Sequence, residues 1–210
     1  MLKKRIIFWD VDTQSDFMRP EGALFVKGAD KIIAKVSKIR RFALENGHSI
    51  IASVDWHSAD DPEISDAPDY RNTFPAHCLS SEEGSSRVGY LGKLLIEGVE
   101  NLEMDESEIK ELVDKEQFHI VIKKSKFDVF TNPNTAKLLN LVQPEEVIVF
   151  GVSLDVCVYY AVMGLLEWGK GEVIVLKDGV KGLGIRKDAD ILQEFEEKGA
   201  KIKELADLKR

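Results

Sequence analysis

A chain of 210 residues, 44% of them hydrophobic, is long enough to bury a sizeable core, and we expect one domain spanning residues 1–210. The net charge of -8 argues against nucleic acid and anionic membranes as partners, because both require clustered positive charge, so a small molecule is the expected partner. The basic start, Lys3-Lys4-Arg5, is followed by only four apolar residues, and the chain has only two cysteines, so we expect a cytoplasmic protein without a signal peptide.

Short apolar runs that predict buried parallel strands alternate along the chain with helical patterns. The strands are predicted at Arg5–Val11, Ser49–Val54, His119–Ile122, Glu146–Phe150 and Glu172–Leu176, with a weaker pattern at Lys201–Lys203. The helices are predicted at Ala29–Glu45, Ser107–Lys115, Thr135–Leu141, Val156–Trp168 and Lys187–Lys198. This alternation predicts a three-layer α/β fold, in which a doubly wound, mostly parallel sheet carries helices on both faces.

Two irregular segments lie between these elements. The stretch Ser58–Tyr90 is rich in Asp, Pro, Ser and Gly, and loops of this length inside a compact domain are usually functional. The run Gly179-Val180-Lys181-Gly182-Leu183-Gly184 superficially resembles a phosphate-binding loop, but it fits neither the dinucleotide fingerprint nor the P-loop pattern. We therefore predict a turn there.

Polar side chains follow the carboxyl ends of four predicted strands, which is where ligands bind in such a sheet. They are Asp12, then Asp55 and His57, then Lys123 and Lys124, and finally Ser153, Asp155 and Cys157. Cys157 lies where an apolar strand breaks and a helix should begin, and a helix N-terminus favours thiolate over thiol. A free cysteine is more often a small buried hydrophobe, but a carboxylate, an ammonium and a thiol at neighbouring strand ends can supply a base, a charge stabiliser and a nucleophile.

Five segments resemble a known family. They are Asp12-Thr13-Gln14-Ser15-Asp16-Phe17, Asp55-Trp56-His57, Phe74-Pro75-Ala76-His77-Cys78, Lys124-Ser125-Lys126-Phe127-Asp128-Val129-Phe130 and Gly151-Val152-Ser153-Leu154-Asp155-Val156-Cys157-Val158. In this order they resemble the isochorismatase-like cysteine hydrolases, a family with a Rossmann-like sheet, over nearly the whole chain from Ile6 to about Asp178. The Asp-x-His pair and the later histidine before a cysteine are similar to the nicotinamidase (pyrazinamidase) branch, whose members hold a metal beside the thiol.

The resemblance implies a catalytic triad of Cys157, Asp12 and Lys124. Cys157 is expected to attack the substrate carbonyl, Asp12 to accept the thiol proton and pass it to ammonia, and Lys124 to offset the negative charge. Lys123 and Lys126 are rivals for the last role. Alternation along a strand puts Lys123 on the face opposite Lys124 and Lys126, and Phe130 follows Lys124 at the family's spacing, so we choose Lys124.

Other residues are expected to surround the substrate. Backbone N–H groups of Cys157 and of a neighbour in Ser153–Val156 are placed to bind the oxyanion, and the resemblance implies a cis peptide between Val152 and Ser153. The residues that could wall an aromatic ring, although each could equally be core, are Phe17, Trp56 and Phe74.

A metal site is expected beside the triad. Asp55 and His57 leave the same face of a strand end, and a carboxylate with an imidazole suits zinc, iron or manganese, of which we expect zinc. His77 supplies a third ligand. Many relatives carry a further histidine a few residues later, where this chain instead offers Asp61 or Glu63 as a fourth ligand, or leaves room for a water.

These expectations converge on a metal-containing cysteine amidohydrolase that converts nicotinamide to nicotinate and ammonia through a thioester. The alternatives are hydrolysis of another small amide or of isochorismate, and a flavodoxin-like binding module without turnover. The helix predicted at Val156–Trp168 could contribute to a homo-oligomer. We expect His48, His119 and Cys78 to be structural.

Overall fold

The computed structural model describes residues 5–70, 72–80 and 82–208 and contains a seven-stranded sheet. The strands pair in the order β3-β4-β2-β1-β5-β6-β7, and each of these pairs is parallel. Their bounds are β1 (Ile6–Val11), β2 (Ser49–Asp55), β3 (Ile96–Val99), β4 (His119–Lys124), β5 (Glu146–Val152), β6 (Glu172–Lys181) and β7 (Lys201–Lys203). The predicted parallel sheet is confirmed, and β1 and β5 lie at its centre.

Six α-helices cover the two faces of the sheet in the described residues. They are α1 (Ser15–Met18), α2 (Ile33–Glu45), α3 (Glu106–Val113), α4 (Thr135–Val142), α5 (Cys157–Trp168) and α6 (Asp188–Glu197). One apolar cluster joins α3, α4, α5 and α6 to the sheet, and a second joins α1 and α2 to the other face, which confirms the three-layer fold. Within the described part of the chain, none of these helices has the length and apolarity needed to cross a membrane.

Most predicted boundaries agree with the structure to within a few residues, but four elements differ, the last of them β6. The helix predicted at Ala29–Glu45 opens with a 3-10 turn at Ala29–Ile32. The strand β3 and the helix α1 were not predicted, because each spans only four residues and carries no clear periodicity.

The turn predicted at 179–184 is wrong over its first half. β6 continues to Lys181, because Val180 and Lys181 pair with β5 beyond an irregularity between Val149 and Gly151. A Cβ added at Gly179 would press on Ile39, so this glycine allows close packing of α2 rather than a turn.

Gly151 explains how the central strands meet at the site. Its φ is +126°, a conformation that L side chains rarely adopt, and an added Cβ would overlap the backbone of Val11. The glycine therefore lets the ends of β1 and β5 approach closely, and these ends lead to the segments that carry Asp12 and Cys157.

A buried ionic network fastens the long loop to the sheet. Arg40 of α2 donates to the Asp10 carboxylate at 2.6 Å, Arg87 of the loop donates to the same carboxylate, and Thr13 donates to it at 2.9 Å. Burial alone would raise the pKa of Asp10, but the two guanidinium groups outweigh burial and hold this pKa at about 2. Arg87 also donates to His119 at 2.8 Å, and burial lowers the pKa of His119 to about 4. His119 is thus a neutral structural acceptor at neutral pH, as predicted.

Replacing Asp10 by Asn is expected to lower the free energy of unfolding at neutral pH by about 3–5 kcal/mol, because two buried guanidinium groups lose their counter-charge. The pKa of Asp10 is depressed in the folded state, so its contribution is present above the unfolded value of 3.8 and is lost as the pH falls towards 2. Urea unfolding at several pH values measures this, and the difference between wild type and variant should shrink in acid. The control is Asp114→Asn, whose carboxylate pairs with Lys110 on the surface; an equal loss there would contradict the account.

Candidate active site

Four side chains from neighbouring strand ends meet at the carboxyl edge of the sheet. Asp12 follows β1, Asp55 ends β2, Lys124 ends β4, and Cys157 is the first residue of α5 after β5. All four are buried. The structure thus brings together groups that lie up to 145 residues apart, as the strand-end argument predicts.

Lys124 is the centre of this group. Its Nζ lies 2.9 Å from Oδ2 of Asp12 and 3.8 Å from Sγ of Cys157, and it also forms an ion pair with Asp55. The hydroxyl of Ser53 donates to Oδ1 of Asp12 at 2.7 Å. One ammonium group therefore contacts two carboxylates and the thiol.

The two rival lysines lie elsewhere. Lys123 points away from the thiol, pairs with Glu100 at 2.6 Å, and holds its Nζ 4.5 Å from the centre of the Trp56 ring. Lys126 is exposed. The predicted alternation of Lys123 and Lys124 is confirmed. Trp56, a candidate wall of the pocket, does not line the cavity and instead lies under the ammonium group of Lys123.

Burial dominates the electrostatics of the triad. It raises the pKa of the Cys157 thiol; the Lys124 ammonium acts against this rise, while the carboxylates of Asp12 and Asp55 add to it. This shift is the opposite of the one expected from the helix N-terminus alone, because desolvation of a buried anion outweighs the partial charge of the helix. Burial likewise raises the pKa of Asp12, while two carboxylates keep the pKa of Lys124 well above its usual value. A resting thiol beside a carboxylate of raised proton affinity is suited to proton exchange.

The backbone before α5 bends around the thiol. The peptide between Val152 and Ser153 is cis, as the resemblance implies. The N–H of Leu154 donates to Lys181 at 2.9 Å, and that of Val156 donates to Ser153 at 3.1 Å. The N–H of Cys157 has no acceptor among the described residues, so it is free to bind an oxyanion.

A second cluster adjoins the triad through Asp55. One ligand atom from each of Asp55, His57, Glu63 and His77 lies within 4.8 Å of the others, and all four side chains are buried. Of the two candidates for the fourth position, Glu63 lies in the cluster, whereas Asp61 lies beside it and accepts from Nδ1 of His57 at 3.0 Å.

The donor set of this cluster fits a divalent metal ion. Nδ1 of His77 contacts the carbonyl of Pro75 at 2.7 Å, and Nδ1 of His57 contacts Asp61, so both rings present Nε2 to the cluster. Nε2 of His57 is buried and has no hydrogen-bond partner among the described residues. Burial and the nearby carboxylate of Asp55 raise the pKa of Glu63 to about 8. Two carboxylates and two imidazoles of this kind bind zinc or a similar ion.

A narrow cavity opens beside the thiol and the cluster. Its lining residues are Phe17, Leu24, Asp55, Glu63, Phe74, His77, Phe127, Ser153, Val156, Cys157 and Leu183. Of the predicted pocket residues, Phe17, Phe74 and Ser153 line it, whereas Val152 is fully buried in the core. A larger cavity surrounds the amino end of β1 and contains none of these groups.

The isochorismatase domain model matches residues 7–207 of this chain. The chain belongs to the isochorismatase domain family. A nicotinamidase from Escherichia coli (strain K12) is 28% identical over 216 residues, covering 94% of this chain and 93% of that protein. Family membership and such relatives identify the chain as an amidohydrolase.

Solved structures share the fold of this isochorismatase-domain enzyme. A pyrazinamidase of Pyrococcus horikoshii in complex with zinc superposes with a TM-score of 0.76 at 27% identity, covering 96% of this chain and 99% of that one. An N-carbamoylsarcosine amidase from Thermoplasma acidophilum reaches a TM-score of 0.72 at 19% identity, covering 98% and 99% of the two chains. The second likeness shows the fold alone.

Two residues that the sequence analysis did not single out hold the site of this family member in place. Gln14 accepts from the backbone N–H of Asp55 at 2.8 Å and donates to its carbonyl at 2.7 Å. The carboxylate of Asp16 accepts from the N–H of Cys78 at 2.7 Å, next to His77. Both residues lie in the segment Asp12–Phe17 that resembles the family, but their hydrogen-bond partners become apparent only in the folded structure.

Cys78 and His48, which we expect to be structural, do not take part in the site. Cys78 is fully buried and does not line the cavity, so a substrate in the cavity does not meet its thiol. The ring of His48 stacks on Phe8, with ring centres 5.7 Å apart, away from the site. Cys157 is thus the thiol that meets the carboxylate and the ammonium.

Proposed function

We propose that this protein is a metal-containing cysteine amidohydrolase that hydrolyses nicotinamide to nicotinate and ammonia. The observation that carries the proposal is the contact of Lys124 with both Asp12 and Cys157, beside a four-residue cluster suited to a metal ion. The small cavity walled by Phe17 and Phe74 suits a planar aromatic ring. The nicotinamidase relatives support this choice of substrate.

The first half of the reaction forms a thioester. The carboxylate of Asp12 takes the thiol proton of Cys157 as the sulfur attacks the amide carbon, so a C–S bond forms and the carbonyl oxygen becomes an oxyanion. The free N–H of Cys157 donates to this oxyanion. As the oxyanion collapses, the C–N bond breaks and Asp12 gives its proton to the departing ammonia. Lys124 stays charged throughout and stabilises the anions beside it.

The second half of the reaction hydrolyses the thioester. Asp12, once more a carboxylate, takes a proton from water as the water oxygen attacks the carbonyl carbon. The C–S bond then breaks and the sulfur regains a proton from Asp12; the nicotinic acid formed loses its own proton to solvent and leaves as nicotinate. Burial raises the pKa of the Cys157 thiol, so the resting enzyme returns to the thiol form.

The metal position has a separate role. Asp55, His57, Glu63 and His77 would hold a divalent ion, with zinc favoured over iron or manganese. The bound ion would supply a Lewis acid that takes the ring nitrogen of the substrate. Aligned in this way, the ring would direct its amide towards Cys157, which restricts the substrate to one productive orientation.

Ammonia release from a panel of small amides tests the proposal against its alternatives. We expect nicotinamide to be turned over with the highest kcat/KM. Pyrazinamide should also be accepted, because it too has a ring nitrogen two bonds from the ring carbon that carries the amide. A preference for an aliphatic amide, or turnover of isochorismate, would assign a different substrate. Tight binding of nicotinamide without ammonia release would favour a binding module.

Replacing His57 by Ala is expected to lower both metal occupancy and the affinity for substrate, because one imidazole ligand is lost. The thiol and its partners Asp12 and Lys124 are untouched, so iodoacetamide should alkylate Cys157 within about threefold of the wild-type rate. Metal analysis, substrate titration and peptide mapping measure these quantities. A metal-free variant with full nicotinamidase activity would contradict the role given to the metal.

The fourth ligand can be tested with a matched pair of variants. Glu63→Gln should weaken zinc binding by about 10- to 100-fold, because it removes a carboxylate that would help to hold the ion. Asp61→Asn should weaken it less, since its side chain can still accept a hydrogen bond from Nδ1 of His57. Competition with a chromophoric chelator measures both affinities. The opposite order would make Asp61 the ligand.

A further inference from the structure

The loop between β6 and α6 wraps around a carboxylate from the segment that precedes Cys157. Oδ1 of Asp155 accepts from the N–H of Leu183 at 2.8 Å. Oδ2 accepts from the N–H groups of Gly184 and Ile185, each at 2.8 Å. Three successive backbone N–H groups around one anion form a nest, the arrangement by which many proteins bind phosphate.

The anion in this nest is supplied by the protein itself. Only Leu183 and Gly184 of the run 179–184 belong to this nest, and the carboxylate of Asp155 fills it. A second contact joins the same two segments, because the N–H of Leu154 donates to the carbonyl of Lys181 at 2.9 Å. A Cβ added at Gly182 would lie 3.2 Å from the Asp155 carboxylate, so the loop lies tightly against it.

Leu183 connects the nest around Asp155 to the site. Its side chain lines the cavity beside Val156 and Cys157 and packs against both apolar clusters of the core. The residues that follow it, Gly184 and Ile185, are exposed, and β6 has already ended at Lys181. Gly184 and Ile185 therefore lack the core packing that Leu183 has, and hydrogen bonds to Asp155 hold their backbone and so fix the loop on which Leu183 lies.

We propose that Asp155 is a positioning residue that fixes Leu183 as a wall of the substrate pocket and thereby limits the size of the amide that reaches Cys157. Asp155 does not line the cavity itself, so it acts through the loop. The inference rests on the proposed function in treating this cavity as the amide site. It adds a determinant of specificity that lies outside the triad and the metal cluster.

Alkylation of Cys157 by two reagents of different size tests the proposal without any need for turnover. The reagents are iodoacetamide and a maleimide that carries a pyrene ring, and peptide mapping separates Cys157 from Cys78. In Asp155→Ala, the ratio of the pyrene-maleimide rate to the iodoacetamide rate should rise by about tenfold, because loss of one aliphatic wall changes discrimination by about this factor. Asp155→Asn keeps one accepting oxygen and should give a smaller rise.

Kinetics supply a second measurement that a merely structural role would not produce. In Asp155→Ala, the KM for nicotinamide should rise by about tenfold while kcat stays within about threefold of wild type, because binding is loosened and the reacting groups are unchanged. Leu183→Ala should reproduce both effects. Asp188→Asn is the matched control, since this carboxylate pairs with the side chain of Lys181 and none of the three N–H groups, and it should change neither quantity.

Three results would overturn the proposal. They are a wild-type reagent ratio in Asp155→Ala, a wild-type ratio in Leu183→Ala, and an equal slowing of both reagents together with a fall in kcat, which would mean that Asp155 acts on the thiol. If Asp155→Ala does not fold, Asp155→Asn and Leu183→Ala decide by the same ratio. A protein that releases no ammonia from nicotinamide would refute the proposed function while leaving the reagent ratio readable.

Discussion

Replacement of Cys157 by Ala is expected to lower amide hydrolysis by roughly 10⁵-fold, because no other group in the site can form the covalent intermediate. The fold and the metal content should be unchanged, since the thiol is not part of the cluster of Asp55, His57, Glu63 and His77. Ammonia release and metal analysis on the same preparation measure both. The small volume removed from the edge of the cavity should leave stability close to that of wild type.

The matched control for this variant is Cys78→Ala. Cys78 is fully buried and does not line the cavity, so its removal should alter stability rather than chemistry. Each molecule of folded Cys78→Ala should hydrolyse amide at nearly the wild-type rate. Retained turnover in Cys157→Ala together with lost turnover in folded Cys78→Ala would show that the wrong thiol had been assigned.

Replacement of Lys124 by Met is expected to lower the rate of thioester formation on the order of 10³-fold, the upper range for loss of one electrostatic group at a reacting centre. It should also lower the free energy of unfolding by about 3–5 kcal/mol, because Asp12 and Asp55 would share a buried site without a counter-charge. Rapid-quench kinetics and urea unfolding separate the two effects.

Lys123→Met is the control for Lys124→Met. Lys123 is its neighbour in the sequence but pairs with Glu100 and lies over Trp56, so this variant should change the rate by less than about threefold. Equal losses of rate in the two variants would contradict the assigned register of β4. A loss of stability in Lys124→Met without any loss of rate in the folded fraction would limit this lysine to a structural role.

The sheet could be predicted because buried parallel strands are nearly continuous apolar runs. Such runs mark β1, β2, β4, β5 and the start of β6. The end of β6 could not be predicted in this way. Glycine usually marks a turn, but Gly179 instead lets α2 pack closely against the strand. Whether a glycine bends the chain or lets another element approach is decided by tertiary contacts.

The site could be predicted in part because parallel strands deliver their following residues to one edge. Asp12, Lys124 and Cys157 meet there, and the cluster around Asp55 forms beside them. The walls contributed by Leu24, Phe127 and Leu183 were not predicted, because apolar residues in loops carry no sign of whether they face a cavity or the core. The choice between Asp61 and Glu63 likewise depends on how the long loop folds.

The protonation state of Cys157 could not be predicted from its position in the sequence. The position of Cys157 at the start of α5 favours a thiolate, and this effect is real at a helix N-terminus. The structure buries the same sulfur beside Asp12, and burial raises its pKa. The sequence pattern reports the helix but not the degree of burial, and desolvation is the larger effect here.

The most direct test of the central claim is a rapid acid quench of a single turnover, with enzyme in excess over nicotinamide, followed by mass analysis of the peptide that contains Cys157. We predict that this peptide transiently gains the mass of a nicotinoyl group, and that one ammonia is released for each group gained, before nicotinate appears. Ammonia and nicotinate that appear together, at every quench time and without any acyl group on Cys157, would contradict the account.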